Sequence, residues 1–511
     1  MLASQLIPDL SGLLRHFLPE TLLCAAVPLI LLADLFAGRA RRDSVASALA
    51  LGALLLAFFI ALFQPWSEGA ITTKLLRADG LAKAFRVLVL GTGMIAAVAA
   101  IRGDVKRART EFFVILIGAV VGACFTAASN DLAMLYLSIE LLSIAGYLLA
   151  GFRKSDLQGS EAALKYVIFG AISSGLMLYG MSLLYGFAGT ATMATPDGQT
   201  FRSLQTVVGS ASGSPAFLVA VVLVFAGLAY KVAAAPFQFW CPDVYQGAPT
   251  SVAAFLAVAA KGAGFAAVLR FVGAVTGGGR GLTDALAANN ETVRTVLLLM
   301  ALVTMTVGNV AALRQHNSKR LLAYSAIAHA GYLLLGVCVT THSGAAAVVF
   351  YMVVYLFMTL GAFTIVGVVE RATGGRTDID AFEGLGFRAP LLAVCMAVCL
   401  IGLTGLPPTG GFVGKLFLFR EVFNYSGEHG SMLFFWGGVI GLLNGVVSLY
   451  YYARFLRVMY LYDPERVPAG ALALAGVDRG LTLAVTLPVL VLGLAFGGLW
   501  GLAEGLTRGV F

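Results

Sequence analysis

The chain has few charged residues and none of the residue groupings that hold redox cofactors. Only 12% of its 511 residues are Asp, Glu, Lys or Arg, while 59% are hydrophobic. The six cysteines are dispersed without a CxxC pair, and we interpret them as small packing residues. Iron–sulfur clusters need several cysteine ligands, and haems held between helices need intramembrane histidines. Neither a dinucleotide fingerprint nor a Walker motif occurs, so we expect no cofactor in this chain and no direct use of ATP.

Long apolar runs take up most of the sequence instead. With a mean hydropathy of +0.90, the composition excludes a soluble globular domain. About fourteen runs of roughly 20 residues are each long enough to cross the hydrocarbon core of a bilayer as a helix. The predicted spans are 17–37, 43–63, 80–101, 111–128, 131–151, 158–187, 215–240, 250–274, 292–313, 319–340, 343–370, 389–424, 431–457 and 480–506. The sequence therefore predicts an all-α integral membrane fold, whose first apolar run is a retained helix rather than a cleaved leader.

Lysine and arginine concentrate on one side of this predicted topology. The net charge is +8, and the basic residues cluster in the loops that follow spans 1, 3, 5, 9, 11 and 13. Because basic loops stay in the cytoplasm, we expect both termini of this multi-pass protein to be periplasmic. We expect the membrane to be a bacterial inner membrane. No basic stripe interleaved with aromatic residues occurs, so we expect the lipid bilayer, and no nucleic acid, as a partner.

Two segments in different halves of the chain are similar to each other. Span 5 contains Ile144-Ala-Gly-Tyr-Leu-Leu-Ala-Gly151, and span 10 contains His329-Ala-Gly-Tyr-Leu-Leu-Leu-Gly336. Both segments hold the same small residues next to an aromatic ring. The match indicates an internal repeat.

Each half also contains one span that proline interrupts. The prolines are Pro236 and Pro242 in span 7, and Pro407 and Pro408 in span 12. Proline removes a backbone donor and breaks a helix, and matched broken helices in two halves indicate a transport site. We therefore divide one membrane domain, 1–511, into N-terminal helices (1–110), two five-helix repeats (111–274 and 292–457) and a last helix (480–506). The odd number of spans per repeat makes the second inverted relative to the first.

Five ionisable residues inside the predicted spans are candidates for a charge path. They are Glu140, Lys165, Lys231, Lys261 and Lys415. A charged side chain at the centre of a bilayer costs roughly 2.5 kcal/mol or more, so such residues usually belong to charge paths. Desolvation lowers the pKa of a lysine and a nearby carboxylate raises it, so a lysine whose partner moves can load and release a proton. Static ion pairs are the alternative, which the excess of lysines over the single carboxylate disfavours.

His329 is the one histidine clearly inside a predicted span, and Tyr324 and Ser325 are close to it in sequence. Imidazole titrates near neutral pH and suits a proton relay. A histidine satisfied within the core is the competing interpretation. Together with the buried lysines, His329 indicates that the chain moves ions or protons across a membrane.

The chain resembles the antiporter-like membrane subunits of proton-pumping NADH–quinone oxidoreductase, respiratory complex I. The resemblance covers nearly the whole chain and depends on five motifs. They are Glu161-Ala-Ala-Leu-Lys-Tyr166, Gly227-Leu-Ala-Tyr-Lys231, Pro236-Phe-Gln-Phe-Trp-Cys-Pro-Asp-Val-Tyr-Gln-Gly-Ala-Pro-Thr250, Asn317-Ser-Lys-Arg-Leu-Leu-Ala-Tyr-Ser-Ala-Ile-Ala-His329 and Gly405-Leu-Pro-Pro-Thr-Gly-Gly-Phe-Val-Gly-Lys415. One departure is Gln238, where family members often have histidine, and this puts a titrating role at that position in doubt.

The resemblance implies a fourteen-helix fold with two inverted five-helix repeats, each containing a broken helix. It also implies that Glu140 of the fifth helix pairs with Lys231 of the broken seventh helix, and that Lys261 is the central lysine. The remaining family positions in the sixth, tenth and twelfth helices correspond to Lys165, His329 and Lys415.

The resemblance implies partners as well. The chain is most similar to the N-type branch, because M-type subunits usually have glutamate at the position of Lys415 and L-type subunits add a long C-terminal lateral helix. The partners are then other membrane subunits of complex I: the antiporter-like M subunit and the small subunits K, J and A. NADH, FMN, iron–sulfur clusters and quinone are expected in partner subunits. A subunit of a cation/proton antiporter or of an energy-converting hydrogenase, and a non-pumping membrane scaffold, are the alternatives.

Overall fold

The computed structural model describes residues 14–38, 42–65, 71–105, 108–153, 156–195, 202–211, 214–277, 284–461 and 475–510. Most of these residues are helical. The helices are α1 Leu18–Phe36, α2 Arg42–Phe63, α3 Gly80–Ala99, α4 Arg109–Ala128, α5 Leu132–Ala150, α6 Leu157–Ala188, α7 Leu204–Ala211, α8 Pro215–Val232, α9 Trp240–Gly247, α10 Thr250–Val275, α11 Asp284–Ala312, α12 Ser318–Cys338, α13 His342–Ala372, α14 Leu385–Arg388, α15 Pro390–Thr404, α16 Gly410–His429, α17 Met432–Tyr460, α18 Gly476–Leu494 and α19 Gly497–Thr507. Two short strands, β1 Ile71–Thr72 and β2 Arg77–Ala78, pair as an antiparallel hairpin.

The membrane-spanning helices agree with the sequence prediction. Within the described ranges, 13 helices are long and apolar enough to cross a membrane. Predicted span 12 is formed by two consecutive helices, α15 and α16, which completes the predicted set of spans. The all-α membrane fold is therefore confirmed. The prediction that both termini are periplasmic concerns chain ends that include residues 1–13 and 511, which lie outside the described residues.

Span 7 is broken where the sequence predicts, although only one of its two prolines lies in the break. Helix α8 ends at Val232, because Ala233 adopts the left-handed conformation with φ +57°. Pro236 lies in the irregular segment that follows, after a cis peptide bond. Pro242 was expected at the break but lies in the first turn of α9, where a missing backbone N–H leaves no hydrogen bond unmade.

Span 12 is broken between α15 and α16. Gly405 ends α15 with φ +87°, a conformation that glycine adopts without a steric penalty. Pro407 and Pro408 follow in the break, joined by a cis peptide bond. Each repeat thus contains its interrupted span as the fourth member of five.

The last predicted span, 480–506, is wrong as a single helix. The structure divides it into α18 and α19. Ala495 leaves the helical conformation, with φ −120° and ψ 51°, just before Gly497 and Gly498. Glycine is a poor helix former, so the chain turns there, and α19 packs against α13 and α3.

Helix α12, together with α10 and α13, forms the centre of the bundle. Almost every residue of α10 and α12 is buried, whereas α1, α2 and α17 expose much of their surface. The α11–α12 crossing is close because Gly331 lies opposite Met305. A Cβ atom on Gly331 would lie 2.6 Å from the backbone nitrogen of Met305, so no larger residue fits.

Candidate functional site

Lys231 lies in the last turn of α8, immediately before the break in span 7. Its side chain is buried, and its Nζ donates a hydrogen bond of 3.0 Å to the Ser143 hydroxyl on α5. The Trp240 indole nitrogen donates to the carbonyl of Tyr230. The second half of the broken span therefore packs back against the turn that carries Lys231 and fixes its position.

Glu140 lies on α5, one helical turn before Ser143. Its carboxylate accepts a hydrogen bond from the Ser174 hydroxyl on α6. Although both residues are described, no ion pair within 4 Å joins Glu140 to Lys231. The group within reach of the ammonium is Ser143, about one turn further along α5. The expected pair is thus an indirect one, with Ser143 as the direct partner.

Lys165 differs from the other lysines because it has two carboxylate partners. Its Nζ lies 2.7 Å from Glu161 on the same helix and 2.7 Å from Asp243 on α9. Arg320 of α12 also binds Asp243. The expectation that the lysines lack carboxylate partners is therefore wrong for Lys165. The side chain of Lys165 is 38% exposed, which places it at the margin of the buried site.

Lys261 follows a single π-helical turn, Leu256–Ala260, in α10. Its side chain is only 1% exposed, and its Nζ donates to the backbone carbonyl of Ala326 on α12. Lys231 is close by, because a Cβ atom on Gly264, one turn after Lys261, would lie 3.3 Å from Lys231 Cγ. Lys261 therefore joins the first repeat to the second.

His329 lies on α12, one turn after Ala326. Its Nδ1 lies 2.7 Å from the Tyr351 hydroxyl of α13, and its ring contacts the rings of Tyr332 and Tyr355. The sequence pointed to Ser325 as a polar neighbour, but the Ser325 hydroxyl bonds to Tyr452 instead. The polar surroundings of His329 come from α13, which residues adjacent in sequence could not reveal.

Lys415 lies in the second turn of α16, after the break in span 12. Its Nζ donates to the carbonyls of Leu403 (3.1 Å) and Thr404 (2.8 Å), the last residues of α15. It also lies 4.4 Å from the centre of the Tyr332 ring. An ammonium group at the carboxyl end of a helix is favoured by the unpaired carbonyls and by the helix dipole.

These contacts form one line across the bundle, which we name the polar axis. It is made of Glu140, Ser143, Lys231, Lys261, His329, Tyr332 and Lys415. Lys231 binds Ser143, Lys261 binds the turn of α12 that precedes His329, and Tyr332 contacts both His329 and Lys415. The structure thus brings together five of the six sequence-predicted site residues and leaves Lys165 beside it. Ammonium, imidazole, carboxyl and hydroxyl groups all exchange protons, so the polar axis can carry protons.

Sequence reasoning missed several polar residues near the axis. Lys319 was assigned to a basic loop, yet it is buried and donates to the carbonyl of Ala248. Asp243 was inside a quoted motif but was not counted as a charge. Tyr355 and Thr359 continue the face of α13 that begins at Tyr351. Their regular spacing of four residues was the signal that could have identified them.

A metal site is not apparent in the described part of the chain. No group of three or more His, Cys, Asp or Glu residues lies close enough there to share an ion.

The chain matches the family model described as NADH:quinone oxidoreductase/Mrp antiporter, TM, over residues 129–441. It is 42% identical to NADH-quinone oxidoreductase subunit N 2 of Sorangium cellulosum, covering 95% of each chain. It is 40% identical to NADH-quinone oxidoreductase subunit N of Anaeromyxobacter sp., covering 94% of this chain and 93% of the relative.

Solved structures have the same fold. A chain of respiratory complex I from Thermus thermophilus with bound aureothin superposes with a TM-score of 0.76 and 30% identity, covering 95% of this chain and 100% of that one. A chain of the archaeal membrane-bound sulfane sulfur reductase gives 0.83 at 22% identity, and one of the Mrp complex from Dietzia sp. gives 0.82 at 18%, each covering 97% of both chains. These last two similarities are similarities of fold alone.

Proposed function

The chain belongs to the NADH:quinone oxidoreductase/Mrp antiporter transmembrane family, and we propose that it translocates protons as a membrane subunit of an NADH–quinone oxidoreductase complex. Antiporter and sulfur reductase subunits have the same fold, so the fold does not distinguish between these functions. Sequence identity distinguishes them, since it is 42% with a subunit named N and only 18% with the Mrp chain. The family position therefore favours the oxidoreductase over the antiporter.

The observation that supports proton translocation best is the continuity of the polar axis. Buried lysines are costly in a membrane unless they serve a charge path. Lys231, Lys261 and Lys415 are buried and are held by hydroxyl or carbonyl oxygens rather than by direct carboxylate partners. Each ammonium can therefore give up its proton without breaking an ion pair. A purely structural role would favour paired charges, as seen at Lys165.

We further propose that the redox chemistry takes place elsewhere in the complex. We assign NADH, FMN, iron–sulfur clusters and quinone to partner subunits. We expect the membrane partners to be the antiporter-like M subunit and the small subunits K, J and A. The relatives are named as subunits of a quinone oxidoreductase, and this sequence has neither clustered cysteines nor paired intramembrane histidines. Energy then reaches the polar axis through conformational or electrostatic coupling.

The membrane orientation is also a proposal. Arg102, Arg153 and Arg371 follow spans 3, 5 and 11, and ion pairs place them at one end of the bundle. We name this end the basic face. The positive-inside rule places it in the cytoplasm and both termini in the periplasm.

Replacing Lys261 in the assembled complex tests the function. Lys261→Ala is compared with Lys74→Ala, which removes a lysine from the exposed hairpin. Proton uptake into inside-out vesicles is measured during NADH oxidation, and NADH–ferricyanide activity reports the amount of complex. Pumping should fall by about tenfold or more for Lys261→Ala, because a positioned proton carrier typically contributes about 10²-fold or more. Equal pumping by the two variants would favour the scaffold alternative.

A further inference from the structure

A pocket opens at the basic face between α3, α10, α13 and α18. Its mouth is formed by Asp478, which bridges Arg102 at 3.1 Å and Arg371 at 3.0 Å. Its volume is about 20 Å³, which is room for at least one water molecule. Phe363 and Ala254 lie among its lining residues. The pocket thus connects the charged surface with the interior of the second repeat.

A buried carboxylate lies next to this pocket. Glu370 accepts a hydrogen bond from the hydroxyl of Thr250, which lines the pocket, and lies 3.5 Å from Arg153. Its side chain is only 9% exposed. Glu370 is the last buried residue of α13 before the surface, so its carboxyl lies close to the basic face and is bound to a residue that lines the pocket.

A row of polar groups continues from there toward the polar axis. Tyr351, Tyr355, Thr359 and Glu370 lie within one face of α13, because their spacings are close to multiples of a helical turn. The hydroxyls of Tyr355 and Thr359, one helical turn apart, are buried without a hydrogen-bond partner among the described residues. Tyr355 packs on the His329 ring at 5.3 Å between centroids. The row therefore ends at a member of the polar axis.

Phe363 separates the pocket from the row of hydroxyls. It is buried, lines the pocket, and lies one turn from Thr359 toward the basic face. Its ring packs against the Tyr245 ring of α9, with centroids 6.1 Å apart. An apolar constriction of this kind excludes water until the ring moves. Because α9 is the second half of the broken span, a movement of that half would release the ring.

We propose that protons enter the polar axis from the basic face through Glu370 and the pocket, past Phe363, and along Thr359 and Tyr355 to His329. This inference rests on the proposed function and deepens it by naming the uptake route. A proton leaves the Glu370 carboxyl for water in the pocket, and the Thr359 oxygen accepts it as that hydroxyl releases its own proton. Tyr355 and then Tyr351 repeat the exchange, and Tyr351, whose hydroxyl lies 2.7 Å from His329 Nδ1, protonates His329. Only O–H and N–H bonds form and break, and one proton moves.

Cysteine labelling tests the route without reference to pumping. Gly367→Cys places a thiol in the pocket, where a Cβ atom would meet only ordinary contacts, the nearest at 3.5 Å. Thr359→Cys places one beyond Phe363. Inside-out vesicles containing the whole complex are treated with a cationic, membrane-impermeant thiosulfonate, and modification is followed at each site by mass spectrometry. We expect the Gly367→Cys thiol to react about tenfold or more faster, because reaching position 359 requires a local opening.

Adding Phe363→Ala to each cysteine variant completes the labelling test. It should raise the rate at Thr359→Cys to near that of Gly367→Cys and leave the latter unchanged. If Phe363→Ala prevents assembly, Phe363→Leu gives a smaller increase in the same direction. Equal rates without any Phe363 change, or an unreactive Thr359→Cys in both backgrounds, would overturn the route.

Activity measurements separate this inference from the proposed function. Glu370→Gln and Thr359→Val should each lower coupled pumping several-fold, while Thr276→Val should not, because this buried threonine follows α10 at the end opposite the pocket-lining Thr250. If Lys261→Ala abolishes pumping but Glu370→Gln and Thr359→Val do not lower it, the route is wrong and the function stands. If labelling follows the expected pattern but Lys261→Ala pumps normally, the pocket is an access path and the proposed function fails.

Discussion

Lys415 donates a hydrogen bond of 2.8 Å to the carbonyl of Thr404, the last residue of α15. The lysine lies on the other side of the proline break and so closes the end of the helix that precedes it. Lys319 acts similarly on Ala248, just after α9. Lys415 therefore binds backbone carbonyls that the break in span 12 leaves unpaired, whereas Lys319 binds at the end of α9 that lies away from the break in span 7. Movement of a broken helix would alter these hydrogen bonds and the proton affinity of the lysine.

Substitutions at Lys415 should separate a proton site from a permanent cation. Lys415→Ala leaves both carbonyls without a donor and should abolish coupled pumping. Lys415→Glu should retain part of it, since a protonated carboxyl can donate to one carbonyl and can also release its proton. Lys415→Arg should assemble but pump poorly, because guanidinium stays protonated. The measurement is pumping per assembled complex, and an active Arg variant beside an inactive Glu variant would contradict the proton-site interpretation.

Glu140 and Lys231 should act on the same step even though Ser143 is the direct partner of the lysine. Lys231→Ala should strongly reduce pumping, and Glu140→Gln less so. The double variant should lose less than the sum of the two effects on a logarithmic scale, since coupled neighbours show interaction energies of about 0.5–3 kcal/mol. Ser143→Ala, which removes only the hydrogen bond of 3.0 Å, should have a smaller effect than Lys231→Ala. Fully additive losses would mean that Glu140 and Lys231 work independently.

Substitution of Lys165 should lower the pumping rate less than substitution of any other predicted site residue. It is partly exposed and bound to Glu161 and Asp243, and exposed ion pairs contribute about 0.2–1 kcal/mol. We expect Lys165→Met to keep most of the pumping rate. Asp243→Asn should cost more, because it leaves two cations, Lys165 and Arg320, without their shared carboxylate. Complete loss of pumping in an assembled Lys165→Met complex would show that this lysine is an essential carrier.

The ion pair between Asp79 and Arg270 should contribute to the stability with which the N-terminal helices pack on the rest of the bundle. The Asp79 carboxylate, which caps α3, receives two hydrogen bonds from Arg270, at 3.0 and 2.7 Å. Burial alone would raise the pKa of Asp79, but the Arg270 and Arg77 guanidinium groups hold it below its ordinary value. Asp79→Asn should therefore lower stability, by about 3–5 kcal/mol if the remaining charge stays buried.

The pH dependence of that effect follows from the lowered pKa of Asp79. A group whose pKa is lowered by folding stabilises the fold above its unfolded pKa of about 3.9, and this contribution disappears as pH falls through the folded value. Thermal unfolding of the purified complex should thus show a constant difference between the native chain and Asp79→Asn from about pH 8 to pH 5, closing only in stronger acid. A difference that closes near neutral pH would point to another titrating group.

The isolated chain should bind no redox cofactor. Its cysteines are dispersed, and His329 is the one histidine clearly inside a predicted span, so the ligand sets for iron–sulfur clusters or paired haems are missing. Purified subunit should show no haem, flavin or iron–sulfur absorbance. Stoichiometric iron or haem after removal of the partner subunits would disprove the assignment of these groups to the partners.

Local chemistry made much of this protein predictable. Long apolar runs can only be membrane helices, and the breaks in spans 7 and 12 contain Pro236, Pro407 and Pro408, although α1 and α18 accommodate Pro28 and Pro488. Asp131 and Asn317, just before apolar runs, accept hydrogen bonds from the first turns of α5 and α12. A lysine inside an apolar run, such as Lys261, is conspicuous because the residues next to it in sequence are uncharged.

The sequence by itself therefore determined the membrane fold, the two broken spans and three of the buried lysines, Lys231, Lys261 and Lys415, because hydrophobicity and backbone chemistry act within about one helix length. Tertiary structure alone decided what each lysine binds. Lys231 meets Ser143 from 88 positions away, and Lys261 meets Ala326 from 65. Lys165 binds Asp243, a residue that the predicted spans gave no reason to expect near it. Partners of this kind depend on which helix faces cross, and crossing is set by packing between distant segments rather than by any local pattern.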